Sequence, residues 1–362
     1  MKKKLLIIIG IIAIAAVAFF AFRPARESAD PRPVVKIGAT LPLTGNLASI
    51  GSVIRESLLM AQAEIPANSK YRYELIFEDD QYDMKKIVLN TTRLISAKNA
   101  DAMLFMFDGS NIGAPVIEKH QIPGMGCTWG AKFFKDYEYS FNHWSRPATQ
   151  AAAFVSLMKD RGIKTISSIA QNSANITELM DEVEKLAAKN GIKFTSMNLV
   201  NINEKDFRLV IEKMRAQKPD LVMLMLLDPQ MTIFAKQAAE QNLNIPYTSI
   251  DEIANTPNRD YLEGSVFVSS ISGSPEFQSR LADRTDLHIM PCTANLYDNF
   301  KILVSIYESA DHKLTGPEVK DRLYQIKDYP SALGVKISVD KDGIIDSPLI
   351  RVRIENGQVV RM

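Results

Sequence analysis

The chain has 362 residues, 43 Lys+Arg against 42 Asp+Glu, 46% apolar and 23% charged residues, and two cysteines. This length predicts two domains, each large enough to bury a core. The charge balance excludes the basic excess with which a nucleic-acid binder neutralises phosphates. Two cysteines exclude a disulfide scaffold or a four-thiolate zinc site, and the scattered His120, His143, His288 and His312 exclude motifs such as H-E-x-x-H.

Met1-Lys2-Lys3-Lys4 precedes an unbroken apolar run, Leu5 to Phe22. As a helix this run is about 27 Å long, close to one hydrocarbon core. The lysines favour the cytoplasm, which places the remainder outside, in the periplasm or cell exterior. The run ends in Phe19-Phe20-Ala21-Phe22-Arg23-Pro24 without a small-x-small cleavage site, and no Cys follows closely to carry a lipid. A membrane anchor over residues 5–22 and a cleaved signal peptide both remain open. Ser28 to Pro33 reads as an extended linker, because each proline restricts the residue before it. Residues 1–30 carry a net charge of +3, which leaves −2 for the remainder.

From Val34 the pattern alternates strand and helix. The run 34–41 is a β-branched strand signal, 42–46 a loop, and apolar residues at helical spacing predict a helix over 48–65. Strand 73–77, helix 85–97, strand 102–107, helix 113–120 and a strand near 122–127 follow. A second series begins after Pro147: helix 149–159, strand 165–170, helix 178–189, strand 193–197, helix 207–216, strand 220–226, helix 230–241 and strand 247–250. The last third is more mixed, with helices 293–309 and 317–326 and strands near 335–339, 350–354 and 359–361. Asn356-Gly357 predicts a tight hairpin between the last two strands. Two such series predict two α/β lobes, each a parallel sheet covered by helices.

Ligands of open α/β sheets bind outside the carboxyl ends of the strands. The loops there are 43–51, 108–113, 126–130, 171–177, 228–230 and 251–255, all short and polar. In them Ser110 and Thr128 are candidate ligand donors, with helix capping or turn formation as the alternative. Asp251 and Glu252 are candidates to bind a cation or amine, against a solvated loop. Asp228 precedes Pro229 and a helix, so an N-capping role competes with ligand contact. Trp129 either stacks on a ligand or closes the cleft mouth. Cys127 and Cys292 are either a pair in an oxidising compartment or two free thiols. Gly124-x-Gly126-x-x-x-Gly130 has the wrong spacing for a dinucleotide loop, and no cofactor is expected. His143-Trp144 fits hinge packing, and Glu78-Asp79-Asp80 a strand end rather than a metal site. Nothing resembles a nucleophile elbow, so no enzymatic activity is expected.

These segments together resemble the type I periplasmic solute-binding proteins of ABC importers, in the branched-chain amino-acid and amide-binding group. The opening Val35-Lys36-Ile37-Gly38-Ala39-Thr40-Leu41-Pro42-Leu43-Thr44-Gly45, then Leu47 to Gly51, is similar to that group's first strand and loop. Glu78 to Asp83, Ile122-Pro123, Cys127-Thr128, Phe141 with Gln150 to Ala153, Asp206-Phe207, Lys218-Pro219-Asp220, Asn244-Ile245-Pro246 and Tyr297-Asp298 follow in the group's order, over about residues 34–325. The resemblance implies two flavodoxin-like lobes joined by a three-strand hinge and closing on a small polar solute. It places the signal or anchor and linker in 1–33. The N-terminal lobe takes 34–147 plus 275–325, and the C-terminal lobe 148–274 plus 326–362. It implies an ABC permease in the inner membrane as partner, no nucleic acid, and the membrane itself if the N-terminal run is retained. A tethered sensor that signals through a partner protein is the alternative on the same fold. The implied site comprises Asn46, Gly109, Ser110, Asn111, Thr128, Trp129, Asn175, Asp228, Asp251 and Glu252. Gly109, Ser110, Asn111 and Thr128 match the positions that hold a carboxylate. Pro147 stands where the group has an Asp for the ammonium, Asn175-Ile176 where it has Tyr-Gly, and Asp228 near another Tyr or Gly. These departures, with Asp108 beside the carboxylate positions, point away from a leucine-type ligand.

Overall fold

The computed structural model describes residues 30–129, 136–256, 258–290 and 292–362. The run 5–22 and Gly130 lie outside them. Among the described residues no helix is long and apolar enough to cross a membrane.

The strand–helix alternation produces two parallel sheets. The first contains β1 (Val34–Leu41), β2 (Arg72–Asp79), β3 (Ala102–Phe105), β4 (Gly124–Gly126), β5 (Ser140–His143) and, from far along the chain, β13 (Ile344–Ile345). Its order is β13-β5-β4-β3-β1-β2, with every pairing parallel. The second contains β6 (Thr165–Gln171), β7 (Lys193–Val200), β8 (Leu221–Met225) and β9 (Tyr247–Thr248) in the order β7-β6-β8-β9, again parallel. A bridge from Ile250 to Val268 joins it to β10 (Val266–Ser270), which pairs antiparallel with β14 (Leu349–Glu355), and β14 with β15 (Gln358–Arg361). Asn356 and Gly357 both take positive φ between β14 and β15, as the hairpin reading requires. Each sheet begins second-first-third-fourth, which places a topological switch point between its first and third strands.

Helices cover these sheets. In the first lobe they are α1 (Ala48–Ala63), α2 (Met84–Ser96) and α3 (Asp108–His120). The second lobe has α4 (Pro147–Asp160), α5 (Ala174–Lys189), α6 (Arg208–Gln217), α7 (Gln230–Glu240) and the short α8 (Glu252–Asn255). Then come α9 (Pro275–Ala282), α10 (Thr293–Glu308) and α11 (Gly316–Leu323). Caps fix their starts: Asp83 accepts from the N–H of Lys85 and Lys86 at α2, Ser173 from Ile176 at α5, and Thr315 with Glu318 forms a capping box at α11. Strand β1 buries Val35, Ile37, Ala39 and Leu41 completely, and the buried α10 packs Leu296, Phe300 and Leu303 into the same core.

The main departures from the sequence reading are at helix starts. Helix α3 begins at Asp108 rather than Gly113, and α5 at Ala174 rather than Glu178. Gly109, Ser110, Asn111 and Asn175 therefore lie in first turns, not loops. Strand β10, helix α9 and strand β11 (Tyr329–Pro330) were not expected; β11 pairs with β12 (Lys336–Ile337), which lies within the strand expected near 335–339. Ile344–Ile345, in the segment 326–362 expected for the second lobe, completes the edge of the first sheet.

Three segments pass between the lobes, at 143–147, 270–275 and 345–349. The first and third are laced together. Ser145 Oγ donates to the Ser347 carbonyl at 2.6 Å, and the Asp346 carboxylate accepts from Arg146 N–H at 2.9 Å and Thr149 Oγ1 at 2.7 Å. The second is held where Ser274 N–H donates to the Ala332 carbonyl at 2.7 Å. His143 and Trp144 are fully buried beside this hinge, and burial lowers the His143 pKa to about 4.

Candidate functional site

The switch points of the two sheets face one another. Loops after β1, β3 and β4 from one lobe, and after β6, β8 and β9 from the other, converge on the space between. They enclose an inner cavity of about 120 Å³ whose walls include Asn46, Leu47, Phe107, Asp228, Glu252 and Met290. Asn46, Leu47 and Asp228 also border an outer cleft of about 520 Å³, where Tyr82, Gln171 and Lys205 contribute.

On the first lobe, close contacts aim the loop that carries Asn46. A Cβ at Gly51 would lie 2.1 Å from the Pro42 carbonyl oxygen, so only glycine lets α1 approach this loop. The Asp79 carboxylate accepts from the N–H of Leu43 at 2.9 Å and Thr44 at 3.2 Å, and from Thr44 Oγ1 at 2.5 Å. Asp80 is bonded to Thr40 Oγ1 and Tyr82 N–H, so this acidic strand end serves the fold. Phe107 adopts φ 46°, a strained value for a bulky residue, pinned by its N–H donating to the Cys127 carbonyl at 2.8 Å. Its ring lies 4.9 Å from that of Trp129, which lies 5.8 Å from that of Trp144. Trp129 is buried, with no partner for its indole N–H among the described residues. Cys127 and Cys292 form a disulfide that ties the end of β4 to the start of α10.

The carboxylate-holding set expected from the resemblance is largely committed elsewhere. The N–H of Gly109 donates to the Met106 carbonyl at 3.0 Å, and that of Ser110 to Phe107 at 2.9 Å, because the helix begins early with a tight turn. The Thr128 N–H donates to Asn142 Oδ1 at 3.0 Å. Ser110 Oγ is buried without a partner, against Gly126, where a Cβ would lie 2.1 Å from it. Asn111 reaches across to the second lobe, its Nδ2 donating to Asn175 Oδ1 at 3.1 Å. Asn175 Nδ2 in turn donates to Asp108 and lies 3.5 Å from Thr128 Oγ1. The Tyr82 hydroxyl donates to the other Asp108 oxygen at 2.9 Å. Asp108 is thus engaged on both oxygens, and burial raises its pKa.

On the second lobe the adjacent acids separate. Asp251, expected as a ligand group, faces β10 instead, accepting from Ser270 N–H, Ser270 Oγ and Ser269 Oγ. Its φ of 65° turns the chain between β9 and α8, and burial pushes its pKa up to about 6. That turn leaves Glu252 lining the inner cavity at 1% exposure, with neither carboxylate oxygen meeting a well-formed hydrogen bond. Burial, and then the Asp251 charge, hold its pKa well above the usual carboxylate range. The two oxygens of Asp228 differ. Oδ1 caps α7 by accepting from Thr232 N–H at 3.1 Å and Oγ1 at 2.7 Å, while Oδ2 is buried without a partner.

Asn46, Asp228 and Glu252 therefore line the cavity, and Asn111, Thr128 and Asn175 join the lobes beside it. Gly109 and Asp251 serve the fold. Phe107 and Met290 were missed. Phe107 reads as the end of a buried strand, and Met290 arrives from a segment without periodicity.

Two parallel-sheet lobes whose switch points enclose one cavity define a bilobal solute-binding fold. The sequence profile described as periplasmic binding protein matches residues 34–358. The chain belongs to that family. Leu/Ile/Val-binding protein homolog 2 of Brucella abortus is 25% identical over 232 residues, and the match spans 61% of this chain and 62% of that relative. The leucine-binding protein LivK of Thermotoga maritima superposes with a TM-score of 0.83 at 18% identity, over 91% of this chain and 97% of the other. A solute-binding protein of an ABC transporter from Rhodopseudomonas palustris, in complex with 3,4-dihydroxybenzoic acid, gives 0.81 at 18% identity over 91% and 96%. LivJ of Streptococcus pneumoniae, in complex with isoleucine, gives 0.79 at 16% identity over 90% and 97%. At these identities the likeness to solved structures is one of fold.

Proposed function

We propose that this chain is the extracytoplasmic capture component of an ABC importer. It closes two lobes on a small polar solute and passes it unchanged to a permease in the inner membrane. The apolar run 5–22 then serves as export signal or tether. The observation that carries this reading is the convergence of both switch points on one cavity, where buried oxygens of Glu252 and Asp228 lack well-formed hydrogen bonds among the described residues. A solute supplying those bonds would be held from both sides. The reading assigns no reaction to the chain.

Thermal melting and titration calorimetry against a panel of amino acids, amides, amines and organic acids test it. A ligand at a hundredfold excess over Kd stabilises the folded state by about 2.7 kcal/mol. Melting curves and heats that stay flat across the panel count against capture, and turnover of a bound member would replace it with catalysis.

A further inference from the structure

The inner cavity has an acidic wall that the general capture reading leaves unused. Two of its wall residues are carboxylates, and none of the described wall residues is a cation. Among the described residues neither oxygen of Glu252 nor Oδ2 of Asp228 meets a well-formed hydrogen bond; the Asn255 side chain lies close enough to favour the Glu252 anion, and the charges of Asp251 and Asp228 oppose it. Arg259 is close enough to feel the charge of Asp228. It is occupied outside the cavity, donating to the carbonyls of Ile253, Ala254 and Gly357. The remaining wall is uncharged, five apolar side chains with Phe107 among them and the polar Asn46, Ser49, Asn255 and Thr256. The N–H groups of Gly109 and Ser110, where a carboxylate would be expected to sit, are already bonded.

We propose that this cavity takes a small primary alkylammonium ion that carries no carboxylate, its ammonium between Glu252 and Asp228 and its alkyl body against Phe107. The proposal rests on the capture reading above and names the solute class. An ammonium offers three donors to the unpartnered oxygens. Charge-assisted bonds of this kind are the strong ones in a dry site. A volume near 120 Å³ corresponds to about four water molecules' share of the liquid, enough for a body of a few heavy atoms. A bare divalent cation fits less well, since it would need about six oxygen ligands, and five apolar side chains form much of the wall. The high proton affinity of Glu252 adds a signature. Arrival of the ammonium lowers that affinity, so binding is linked to proton release.

The test uses n-butylamine, n-butyramide, n-butyrate, leucine, Ca²⁺ and Mg²⁺ with the full chain. Titration calorimetry from pH 5 to 8 in two buffers of different ionisation enthalpy should show butylamine binding, linked to proton release over part of that range. Glu252→Gln and Asp228→Asn should each weaken binding by about ten- to a hundredfold, the worth of one charge-assisted bond. Ligand-free Glu252→Gln should melt no lower than the parent, which shows that the variant folds. Binding of leucine, butyramide or butyrate without butylamine overturns the amine assignment and leaves capture standing. A response to Ca²⁺ or Mg²⁺ alone also overturns it. No response to any panel member overturns the assignment, and a flat response to the wider solute panel overturns capture as well.

Discussion

Asp298 gives the hinge a measurable pH dependence. It sits on α10 at 1% exposure and clamps the ribbon that braces the second crossing. Its carboxylate accepts from Ala332 N–H at 2.9 Å and from Ser331 Oγ, and the Ala332 carbonyl accepts from Ser274 N–H at 2.7 Å. Burial raises its pKa from 3.8 to about 7, against the opposing pull of the Ser331 and Ala332 hydrogen bonds. The folded chain therefore keeps a proton that the unfolded chain has lost. Stability falls as pH rises between about 4 and 7 and is level above, because the native state binds more protons in that window. A shift of about three pKa units corresponds to about 4 kcal/mol at 1.36 kcal/mol each. For a chain of this length, an unfolding entropy of about 0.7 kcal/mol/K turns this into about 6 °C in melting temperature. Asp298→Asn retains an acceptor for Ala332 and a donor for Ser331 but cannot ionise. Denaturant unfolding of parent and variant from pH 4 to 8 should show the variant gaining on the parent by about 4 kcal/mol across the range. Parallel curves would show that Asp298 titrates like an exposed carboxylate. A variant less stable by a constant amount would show that the clamp needs the anion.

Other outcomes follow from single contacts. The Cys127–Cys292 disulfide closes a loop of 165 residues, so its loss by reduction or by double substitution to Ser should cost up to about 5 kcal/mol on a chain-entropy basis; a melting curve insensitive to reductant would contradict this. Gly51→Ala should cost about 1–3 kcal/mol, because the new Cβ meets the backbone oxygen of Pro42 and has no flexible atom to displace. The same variant should weaken ligand binding through displacement of Asn46, and unchanged melting and affinity together would refute the contact. Asn175→Ala removes the bridge to Asn111 and Asp108. Small-angle scattering should then give a larger radius of gyration for the ligand-free protein, with a change in global stability of only about 1 kcal/mol. An identical profile would show that this bridge does not hold the lobes together.

The architecture was legible because most of it is local. Val34–Leu41 reads as a strand from β-branched residues and is one over the same span, and Asn356-Gly357 forms its hairpin because the turn chemistry sits in the two residues themselves. Helix starts were misread for a physical reason. The first turns of α3 and α5 are built from Asp, Gly, Ser, Asn and Thr, residues whose side chains compete for backbone groups and favour loops. Tertiary bonds across the cleft decide otherwise. Ile344–Ile345 is too short to signal a strand, and its place depends on a partner some 200 positions earlier. Asp251 and Glu252 are adjacent and chemically alike, so the sequence could not choose between them. The choice is made by the positive φ at Asp251 and by Ser269 and Ser270, which arrive on β10 and capture the first carboxylate, leaving the second for the cavity.

On the capture reading, the same polar chemistry makes closure depend on a guest. Contacts between the lobes at the site are amide and carboxylate bonds, Asn111 to Asn175 and Asn175 to Asp108. Each is worth only about 0.5–1.5 kcal/mol net, because water replaces it on opening. Closing an empty jaw also strips water from Glu252 and Asp228 Oδ2 without supplying well-formed bonds, which costs about 1–3 kcal/mol for a neutral group and more for a charged one. The two effects nearly cancel, so the empty protein gains little from closing. A solute that bonds those atoms removes the penalty only in the closed form. That differential affinity, and not the tightness of any single contact, is what shifts the population. The unpartnered atoms are thus the means by which the open and closed forms of this chain are told apart by its ligand.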